Sequence, residues 1–325
     1  MKKVFCVGLA VCDIPLRPVS PEAFRLDNVP IDPPVFAVGG DAANVAMTLS
    51  KLGVKTSFSG LVGRDFMGDL VADRLEKCGV DIRGLNRHPT MGTVMSYILI
   101  EPGGERHFLF SSTLNGELTY NDVSQDMIAE ADLVYFGSAM CMKQMDEGGI
   151  AALFKKARSL GKTTVVDFTG HDGTNWREIL EPMLREADVI MPSYREAKML
   201  TGKESLEDIR KDLSGYGIKL LVIKMGSEGS YITNFKDEWR VPTFPEFKAV
   251  DTTGAGDSFV GGFILGLLAG WTPDTAAVFG SAVASYNVTK VGATGGVPDF
   301  DTVHRYVTEH AGGAGRFSLD QLRKN

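Results

Sequence analysis

Cysteine is scarce in this 325-residue sequence, and positive charge is not in excess. The four cysteines, Cys6, Cys12, Cys78 and Cys141, contain no C-x-x-C pair. This usage predicts reduced, mostly buried thiols in a cytoplasmic protein. Lysine and arginine number 34 against 41 aspartates and glutamates, a formal net charge of −7. Because a general nucleic-acid binder carries a basic face, we expect no nucleic-acid partner and at most a local anion pocket.

Long apolar runs are also missing. Outside the N-terminus the longest is Phe259–Leu268, far short of the roughly 18–20 residues that cross a bilayer. At the N-terminus, Lys2-Lys3 and the apolar stretch Val4–Cys12 have the outline of a short signal peptide, but Asp13 ends the run at once. We therefore expect a buried first strand and no membrane association.

Several familiar site motifs are absent. The residue that would complete G-x-G-x-x-G after Gly254 and Gly256 is Phe259, so the dinucleotide fingerprint fails. The sequence has no P-loop, no H-E-x-x-H and no G-x-S-x-G. The five histidines are scattered without metal-ligand spacing. These absences argue against a dehydrogenase and a P-loop enzyme.

Glycine is what the sequence has in excess. Its 37 residues are about 11% of the chain, where about 7% is typical. Proline is ordinary at 14, and the apolar (44%) and charged (23%) fractions are those of a soluble globular protein. The surplus predicts turns and close backbone approaches.

Short β-branched runs alternate with helical patterns along most of the chain. This alternation is typical of βαβ units, so we predict an α/β fold with a mostly parallel sheet and helices on both faces. The predicted strands are Val4–Gly8, Thr56–Leu61, Leu133–Phe136, Thr163–Asp167, Val189–Met191 and Leu220–Lys224. The predicted helices are Ala42–Leu52, Phe66–Cys78, Gly148–Leu160, Trp176–Leu184 and Leu206–Tyr216.

Two segments, residues 14–38 and 90–112, break this rhythm. The first is proline-rich and extended, and the second contains a hairpin-like pair, Thr93–Ile100 and Glu105–Phe110. We expect both to form a small β lid at the carboxyl ends of the strands, where ligands bind in open α/β sheets.

The C-terminal part is predicted to be helical. Thr272, followed by proline, is a good start for a helix that runs to about Val288. We expect residues 1–311 to form one domain. Residues 312–325 are expected to be a glycine-rich linker and a short helix that begins at Ser318, with Gln321 completing a capping box.

The strongest motif is D-T-T-G-A-G-D-S-F at Asp251–Phe259, which precedes an apolar helix. A glycine-rich turn at a helix N-terminus leaves amide N–H groups free, and the helix dipole adds positive charge there. That combination predicts a phosphate site. Asp257 is the unusual member, because a phosphate would repel it. It is either a helix cap or a general base that takes a proton from an attacking hydroxyl.

A second motif, Gly39-Gly40-Asp41-Ala42-Ala43-Asn44, is followed by Gly53 and Gly63. A Gly-Gly turn before a helix again permits close backbone approach, and Asn44 falls in the first helical turn, where it is a good polar contact. Alone, the motif is equally compatible with a plain helix start and a surface asparagine.

Together the two motifs resemble the signatures of the ribokinase-like (PfkB) carbohydrate kinases. They have the family's order and separation, and the resemblance covers about residues 3–310. It implies a three-layer sandwich with a β lid that excludes water, and often a homodimer. It also implies transfer of a phosphoryl group from ATP, with Mg²⁺, to a hydroxymethyl group of a small sugar or a nucleoside.

The resemblance assigns residues to two parts of the reaction. Asp257 would be the general base. The amides of Gly254, Ala255 and Gly256, with that of Asp257, would form the anion hole. The acceptor would lie against five residues: Asp13 at the end of the first strand, Gly39, Gly40, Asp41 and Asn44.

The resemblance also implies nucleotide and cation sites. The nucleotide would contact Lys224, Gly226, Gly229 and Asn287. Glu196 would hold Mg²⁺ through water. A monovalent cation such as K⁺ would be ligated by Asp251 and Thr253, with carbonyl groups of Asn287, Lys290 and Gly292.

Two segments depart from the family pattern. In the usual N-x-x-E motif Ser193 replaces the asparagine, so its contact is expected to be water-mediated. In the segment 167–171 the asparagine and arginine that relatives often carry are missing.

Three functions stay open at this point. A ribokinase- or fructokinase-like sugar kinase is favoured, with a neutral acceptor, because the lid lacks an obvious Arg/Lys pair; Arg87, Arg106 and Lys143 are alternative contacts for a phosphorylated one. A nucleoside kinase would use Phe36, Tyr97 and residues 108–110 against a base. A non-catalytic sugar-binding regulator would have no use for Asp257.

Overall fold

The computed structural model describes residues 2–103, 105–111, 114–170, 175–311 and 314–319. Within them the chain forms thirteen strands and ten α-helices. The strands are β1 (Lys3–Gly8), β2 (Val11–Leu16), β3 (Ala37–Gly39), β4 (Lys55–Gly63), β5 (Asp81–His88), β6 (Met95–Ile100), β7 (Arg106–Phe110), β8 (Leu133–Ala139), β9 (Thr163–Phe168), β10 (Val189–Ile190), β11 (Leu220–Lys224), β12 (Ser230–Thr233) and β13 (Glu238–Val241). The helices are α1 (Asp41–Lys51), α2 (Phe66–Lys77), α3 (Gln125–Glu130), α4 (Ile150–Ser159), α5 (Trp176–Leu184), α6 (Tyr194–Thr201), α7 (Leu206–Leu213), α8 (Ala255–Ala269), α9 (Pro273–Asn287) and α10 (Phe300–His310).

Nine strands form the main sheet in the order β13-β12-β11-β10-β9-β8-β1-β4-β5. Neighbours from β5 to β11 pair in parallel, whereas β12 and β13 add an antiparallel edge. The carboxyl ends of the parallel strands therefore meet at one edge of the sheet, where an open α/β sheet builds its site.

Alternate residues of the strands pack into two separate hydrophobic cores, one on each face of the main sheet. In β1, Val4 and Cys6 belong to a core with α1, α2, α8, α9 and α10, whereas Phe5 and Val7 belong to a core with α3 to α7. This is the period of two expected of a strand covered on both faces. The predicted three-layer α/β fold is confirmed.

Four strands form a second sheet in the order β3-β2-β6-β7. The predicted hairpin is present as the antiparallel pair β6–β7. The strand β2 pairs in parallel with β6 and antiparallel with β3, which leads into α1. This small sheet is the predicted lid, and we refer to it by that name.

The helix α8 lies deep in the molecule, between α1 and α9. Eleven of its fifteen residues are buried. A Cβ atom on Gly262 would lie 2.8 Å from Cα of Gly280 in α9, and one on Gly261 would lie 2.6 Å from the Thr48 side chain of α1. These glycines let three helices approach closely behind the site.

Some predictions need correction or fall outside the description. The chain leaves the main sheet at Gly8 and enters the lid at Val11, so Asp13 lies in β2 and not at the end of the first strand. Residues 314–317 form a 3₁₀ turn with Phe317 buried, where a linker was expected. The helix predicted from Ser318 would need residues 320–325, which are outside the described part. Within that part, no helix is both long and apolar enough to cross a bilayer.

Candidate functional site

The N-terminus of α8 has the geometry expected of an anion site. Gly254 precedes the helix with φ 69°, a left-handed conformation that favours glycine. A Cβ atom there would lie 2.0 Å from the carbonyl oxygen of Ala293. The N–H groups of Gly256 and Asp257 donate to no backbone carbonyl among the described residues, whereas Ala255 N–H donates to the Thr252 carbonyl at 3.2 Å.

Asp257 lies in the first turn of α8, and Asn44 lies in the first turn of α1. The Nδ2 atom of Asn44 donates to Oδ2 of Asp257 at 2.8 Å. Asn44 is 4% exposed, and its Oδ1 atom has no hydrogen-bond partner among the described groups. The two sequence motifs therefore meet in one hydrogen bond and leave one buried acceptor oxygen beside it.

A buried ion pair flanks this contact. Nζ of Lys224, at the end of β11, lies 2.5 and 2.6 Å from the two carboxylate oxygens of Asp167 in β9. Burial and the carboxylates of Glu196 and Asp41 raise the pKa of Asp167 to about 7, although Lys224 opposes the shift. Burial lowers the pKa of Lys224, but Asp167 and Glu196 outweigh it and leave a net increase. Asp167 was not among the predicted site residues.

Lys224 also borders the anion site. Its Nζ atom lies 3.6 Å from the position that a Cβ atom on Gly256 would take. Burial and the carboxylates of Asp41 and Asp167 raise the pKa of Asp257 well above its ordinary value, and the Asn44 hydrogen bond and Lys224 oppose this. Asp257 is therefore a stronger base than an exposed aspartate.

The turn before α1 carries the remaining predicted acceptor residues. Oδ2 of Asp41 accepts hydrogen bonds from Ser138 Oγ, at 3.0 Å, and from Thr169 Oγ1. Burial raises the pKa of Asp41. Ser138 lies near the end of β8 and Thr169 follows β9, and their role was missed because nothing local in the sequence connects them to Asp41.

Asp13 lies directly over Gly39 in the lid. A Cβ atom on Gly39 would lie 2.2 Å from Oδ2 of Asp13, so glycine is required where β3 passes this carboxylate. Burial and the carboxylates of Asp41 and Asp251 raise the pKa of Asp13 to about 7. The predicted acceptor residues are thus brought together, with Asp13 supplied by the second sheet.

The predicted nucleotide residues lie on two elements. Gly226 and Gly229 form the turn between β11 and β12, both with positive φ. Asn287, at the end of α9, donates from Nδ2 to the carbonyls of Thr253 at 3.1 Å and Ala293 at 2.9 Å. Its side chain therefore braces the loop before the anion site.

Glu196 and Ser193 form a capping box at the start of α6. Oε2 of Glu196 accepts from the N–H of Ser193 at 2.7 Å, and Oγ of Ser193 accepts from the N–H of Glu196 at 3.3 Å. Serine is a strong N-cap residue, so its place in this motif preserves the helix start that positions Glu196.

The residues predicted to ligate a monovalent cation are adjacent. Oδ2 of Asp251 accepts from Gly292 N–H at 2.9 Å, and Oδ1 accepts from Thr253 N–H at 2.9 Å. The lid residue Arg106 joins them, with Nη1 at 2.9 Å from Oδ1 of Asp251. Of the other two basic residues considered, Arg87 pairs with Asp69, and Lys143 lines a nearby cavity.

That cavity, of about 600 Å³, opens at the ends of β8 and β9. It adjoins Asp41 through Thr169, which lines it. Oδ1 of Asn115 is buried in its wall without a partner among the described groups. Phe110, Lys143 and Trp176 also line it.

The fold matches sugar kinases of known structure. Ribokinase from Thermotoga maritima superposes with a TM-score of 0.82 at 25% identity, covering 95% of this chain and 100% of that one. Ribokinase from Arabidopsis thaliana, solved with ribose and ATP, superposes with a TM-score of 0.78 at 24% identity, covering 94% and 97%. The architecture is that of the ribokinase-like kinases.

Sequence comparison agrees. The family model described as pfkB family carbohydrate kinase matches residues 1–299, and the chain belongs to this family of carbohydrate kinases. Fructokinase-2 of Solanum lycopersicum is 30% identical over 299 residues, 86% of this chain and 88% of that protein. An ATP-dependent 6-phosphofructokinase of Thermoanaerobacterium thermosaccharolyticum is 27% identical over 273 residues, 82% and 83% of the two chains. The predicted family, fold and enzyme class are confirmed.

Proposed function

We propose that this enzyme phosphorylates a hydroxymethyl group of a small neutral sugar with ATP, as ribokinases and fructokinases do. The observation that carries the proposal is the Asn44–Asp257 hydrogen bond at the N-terminus of α8. It sets a basic carboxylate beside free helix amides and beside a buried, unpaired oxygen of Asn44 that can accept from a sugar hydroxyl.

In this proposal Asp257 is the general base. The acceptor O–H gives its proton to the Asp257 carboxylate while its oxygen bonds to the γ-phosphorus of ATP. The bond from that phosphorus to the bridging oxygen breaks, and ADP leaves. The raised pKa of Asp257 suits it to accept a proton near neutral pH.

The free N–H groups of Gly256 and Asp257, with those of Gly254 and Ala255, would bind the transferring phosphoryl oxygens. The helix dipole of α8 stabilises the negative charge that develops there. Lys224, held beside Gly256 by Asp167, adds a fixed positive charge. Gly226 and Gly229 would border the nucleotide, and Asn287 would hold the loop in place.

Glu196 has the chemistry to hold Mg²⁺. One carboxylate oxygen caps α6, and Oε1 makes no hydrogen bond within the described residues, which leaves an oxygen of the kind that Mg²⁺ prefers, directly or through water. When bound, Mg²⁺ neutralises charge on the phosphate oxygens.

Asp13, Gly39, Gly40 and Asp41 would contact the acceptor hydroxyls, and the lid would exclude water that competes as a nucleophile. We expect a homodimer, by analogy with relatives whose lids pair. The exposed side chains of residues 108–110 on β7 support this arrangement, since an apolar lid edge favours a partner.

The test is ADP release with a panel of pentoses, hexoses, sugar phosphates, keto-sugar acids and nucleosides. We expect turnover with a neutral pentose or hexose, and none with Asp257→Asn under the same conditions. Nucleosides are the second candidate, because Phe110 and Trp176 border a cavity large enough for a base. Turnover with nucleosides alone would select that alternative, and binding of a sugar without turnover would favour a regulator.

A further inference from the structure

The lid strand β7 places one charged side chain on the opposite wall of the cleft. Nη1 of Arg106 lies 2.9 Å from Oδ1 of Asp251, and the guanidinium also donates to the side-chain hydroxyls of Thr252 and Thr253. The side chains of Arg106 and Asp251 are 23% and 10% exposed. Because the pair is shielded, it interacts more strongly than an ion pair on the surface.

Asp251 has little capacity left for a further cation. Its Oδ1 atom accepts from Arg106 and from both the N–H and Oγ1 of Thr253, and its Oδ2 atom accepts from Gly292 N–H. A carboxylate oxygen offers about two acceptor positions, so the three donors to Oδ1 saturate it and Oδ2 has one position left. The shielded guanidinium also neutralises the negative charge that would attract K⁺.

Two of the three predicted carbonyl ligands are engaged as well, whereas the Lys290 carbonyl accepts from no backbone N–H among the described residues. The Asn287 carbonyl accepts from Lys290 N–H at 3.2 Å, and the Gly292 carbonyl accepts from Gly295 N–H at 3.3 Å. The Thr253 carbonyl accepts from Asn287 Nδ2 at 3.1 Å. Apart from the Lys290 carbonyl, the oxygens expected to surround K⁺ are therefore already hydrogen-bonded, and as a set they do not fit a cation as they stand.

We propose that the guanidinium group of Arg106 takes the place of a bound monovalent cation at the loop that precedes the anion hole. This enzyme would then need no K⁺ or similar ion. The inference rests on the proposed kinase function. Asp251, Thr252 and Thr253 lead directly into Gly254, so the guanidinium fixes the loop that presents the anion-hole amides. Because Arg106 belongs to the lid, the same contact also ties the lid to this loop.

The first test needs no acceptor. Melting temperatures of the wild type and of Arg106→Gln are compared in KCl and in choline chloride at equal ionic strength. A cation that binds the native state raises Tm. We expect no difference between the salts for the wild type, and a higher Tm in KCl for Arg106→Gln, whose Asp251 is left without a positive partner.

Arg17→Gln is the matched control. Arg17 is another lid arginine, but it is 52% exposed and pairs with the exposed Asp32. Its removal should leave Tm equal in the two salts. Arg106→Lys keeps the charge and should resemble the wild type.

The second test uses the kinase reaction with ribose or fructose. We expect the kcat of the wild type to differ by less than about twofold between the salts. Arg106→Gln should lose about tenfold or more in choline chloride, the scale of removing one electrostatic contact at a phosphoryl site, and recover at least part of the loss in KCl. Circular dichroism confirms that each variant is folded.

Stabilisation of the wild type by KCl, or a large rise in its kcat, would overturn the inference. So would an Arg106→Gln variant that responds to KCl no more than the wild type does. If no sugar is phosphorylated, the proposed function fails, and the melting temperatures still decide whether the loop takes up K⁺.

Discussion

Asn44 and Asp257 lie 213 positions apart in the sequence, and 2.8 Å separates Nδ2 of the first from Oδ2 of the second. Asn44 lies in the first turn of the helix that follows the proposed acceptor turn, and Asp257 lies in the first turn of the helix that follows the proposed phosphate turn. The hydrogen bond ties the orientation of the proposed base to the acceptor side of the cleft. A change on either helix start is therefore expected to alter the chemistry at the other.

Asp257→Asn keeps the shape of the side chain but removes the base. We expect kcat to fall by about 10² to 10⁴-fold, while the Kd for ATP, measured by calorimetry, stays close to that of the wild type. The anion-hole amides are unchanged in this variant, so nucleotide binding serves as the internal control. Wild-type turnover would exclude Asp257 as the base.

Asn44→Ala removes a hydrogen bond that lowers the pKa of Asp257. The base works only when ionised, so activity is lost as pH falls through its pKa. A higher pKa therefore moves the acidic limb of the kcat profile to higher pH. Asn86→Ala is the control, because Asn86 on β5 donates to the backbone carbonyls of Gly84 and Asp122, away from the site. An unshifted profile in Asn44→Ala would contradict the coupling.

Lys224→Met should leave the buried Asp167 without its partner and destabilise the protein by about 3–5 kcal/mol. Adding Asp167→Asn removes the unpaired carboxylate, so the double variant should be more stable than the two single effects predict together. Urea unfolding of the wild type, the two single variants and the double variant measures this coupling. Additive effects would show that the pair contributes nothing as a pair. Lys77→Met breaks an exposed pair with Asp73 and should cost less than about 1 kcal/mol.

Comparing Gly254→Ala with Gly53→Ala separates the cost of a strained backbone from the cost of a steric clash with the new Cβ atom. Both glycines have positive φ, 69° and 83°, but a Cβ atom would lie 2.0 Å from the Ala293 carbonyl at Gly254 and meets nothing within 4 Å at Gly53. We expect Gly53→Ala to cost roughly 1–2 kcal/mol without loss of kcat. Gly254→Ala should cost more and lower kcat, because the loop must move. If the two variants had equal free energies of unfolding and equal kcat values, the contact between Gly254 and the Ala293 carbonyl would be unimportant.

Asp13→Asn should change stability with a defined pH dependence. The folded protein raises the pKa of Asp13 to about 7, so it binds a proton that the unfolded chain has released, and the stabilising contribution of that proton is lost as pH rises from about 4 to 7. The asparagine of the variant does not titrate, so the variant does not lose stability in this way over this pH range. We expect Tm of the variant to exceed that of the wild type by about 2–4 °C at pH 8, the difference to be smaller at pH 5, and to disappear near pH 4. A constant difference would argue against the buried acid.

The sequence predicted the central elements well because they are strongly apolar or follow clear turn signals. The predicted helix Trp176–Leu184 agrees with α5 at both ends, and the hairpin β6–β7 was expected from its glycine turn. The edge strand β5 and the antiparallel pair β12–β13 were missed. Only Gly84 of the eight residues of β5 is buried, and the strand lacks the apolar alternation by which a strand is predicted.

The site was predictable where its residues are local and not where they are distant. The turns at Gly39–Asn44 and Gly254–Asp257 could be found from spacing alone. The pairing of Lys224 with Asp167, and of Asp41 with Ser138 and Thr169, depends on which strands lie side by side, which no local pattern encodes. Asp13 was assigned to the wrong strand for the same reason, because two residues suffice to carry the chain from one sheet into the other.

The burial of α8 on nearly all sides has a consequence for how this enzyme can change. A helix held by α1 and α9 through glycine contacts cannot tilt or shift without disturbing the whole interior. The N-terminus of α8, where the phosphoryl group is proposed to bind, is therefore held rigidly in place. The proposed acceptor end is covered by a second sheet, whose strands β2 and β3 pack into that interior through Cys12, Ile14 and Val38, whereas the side chains of β7 are mostly exposed. New sugar preferences can therefore be engineered, or can evolve, by substitutions on the exposed lid strand β7 without disturbing the helix that carries the proposed phosphoryl-transfer site.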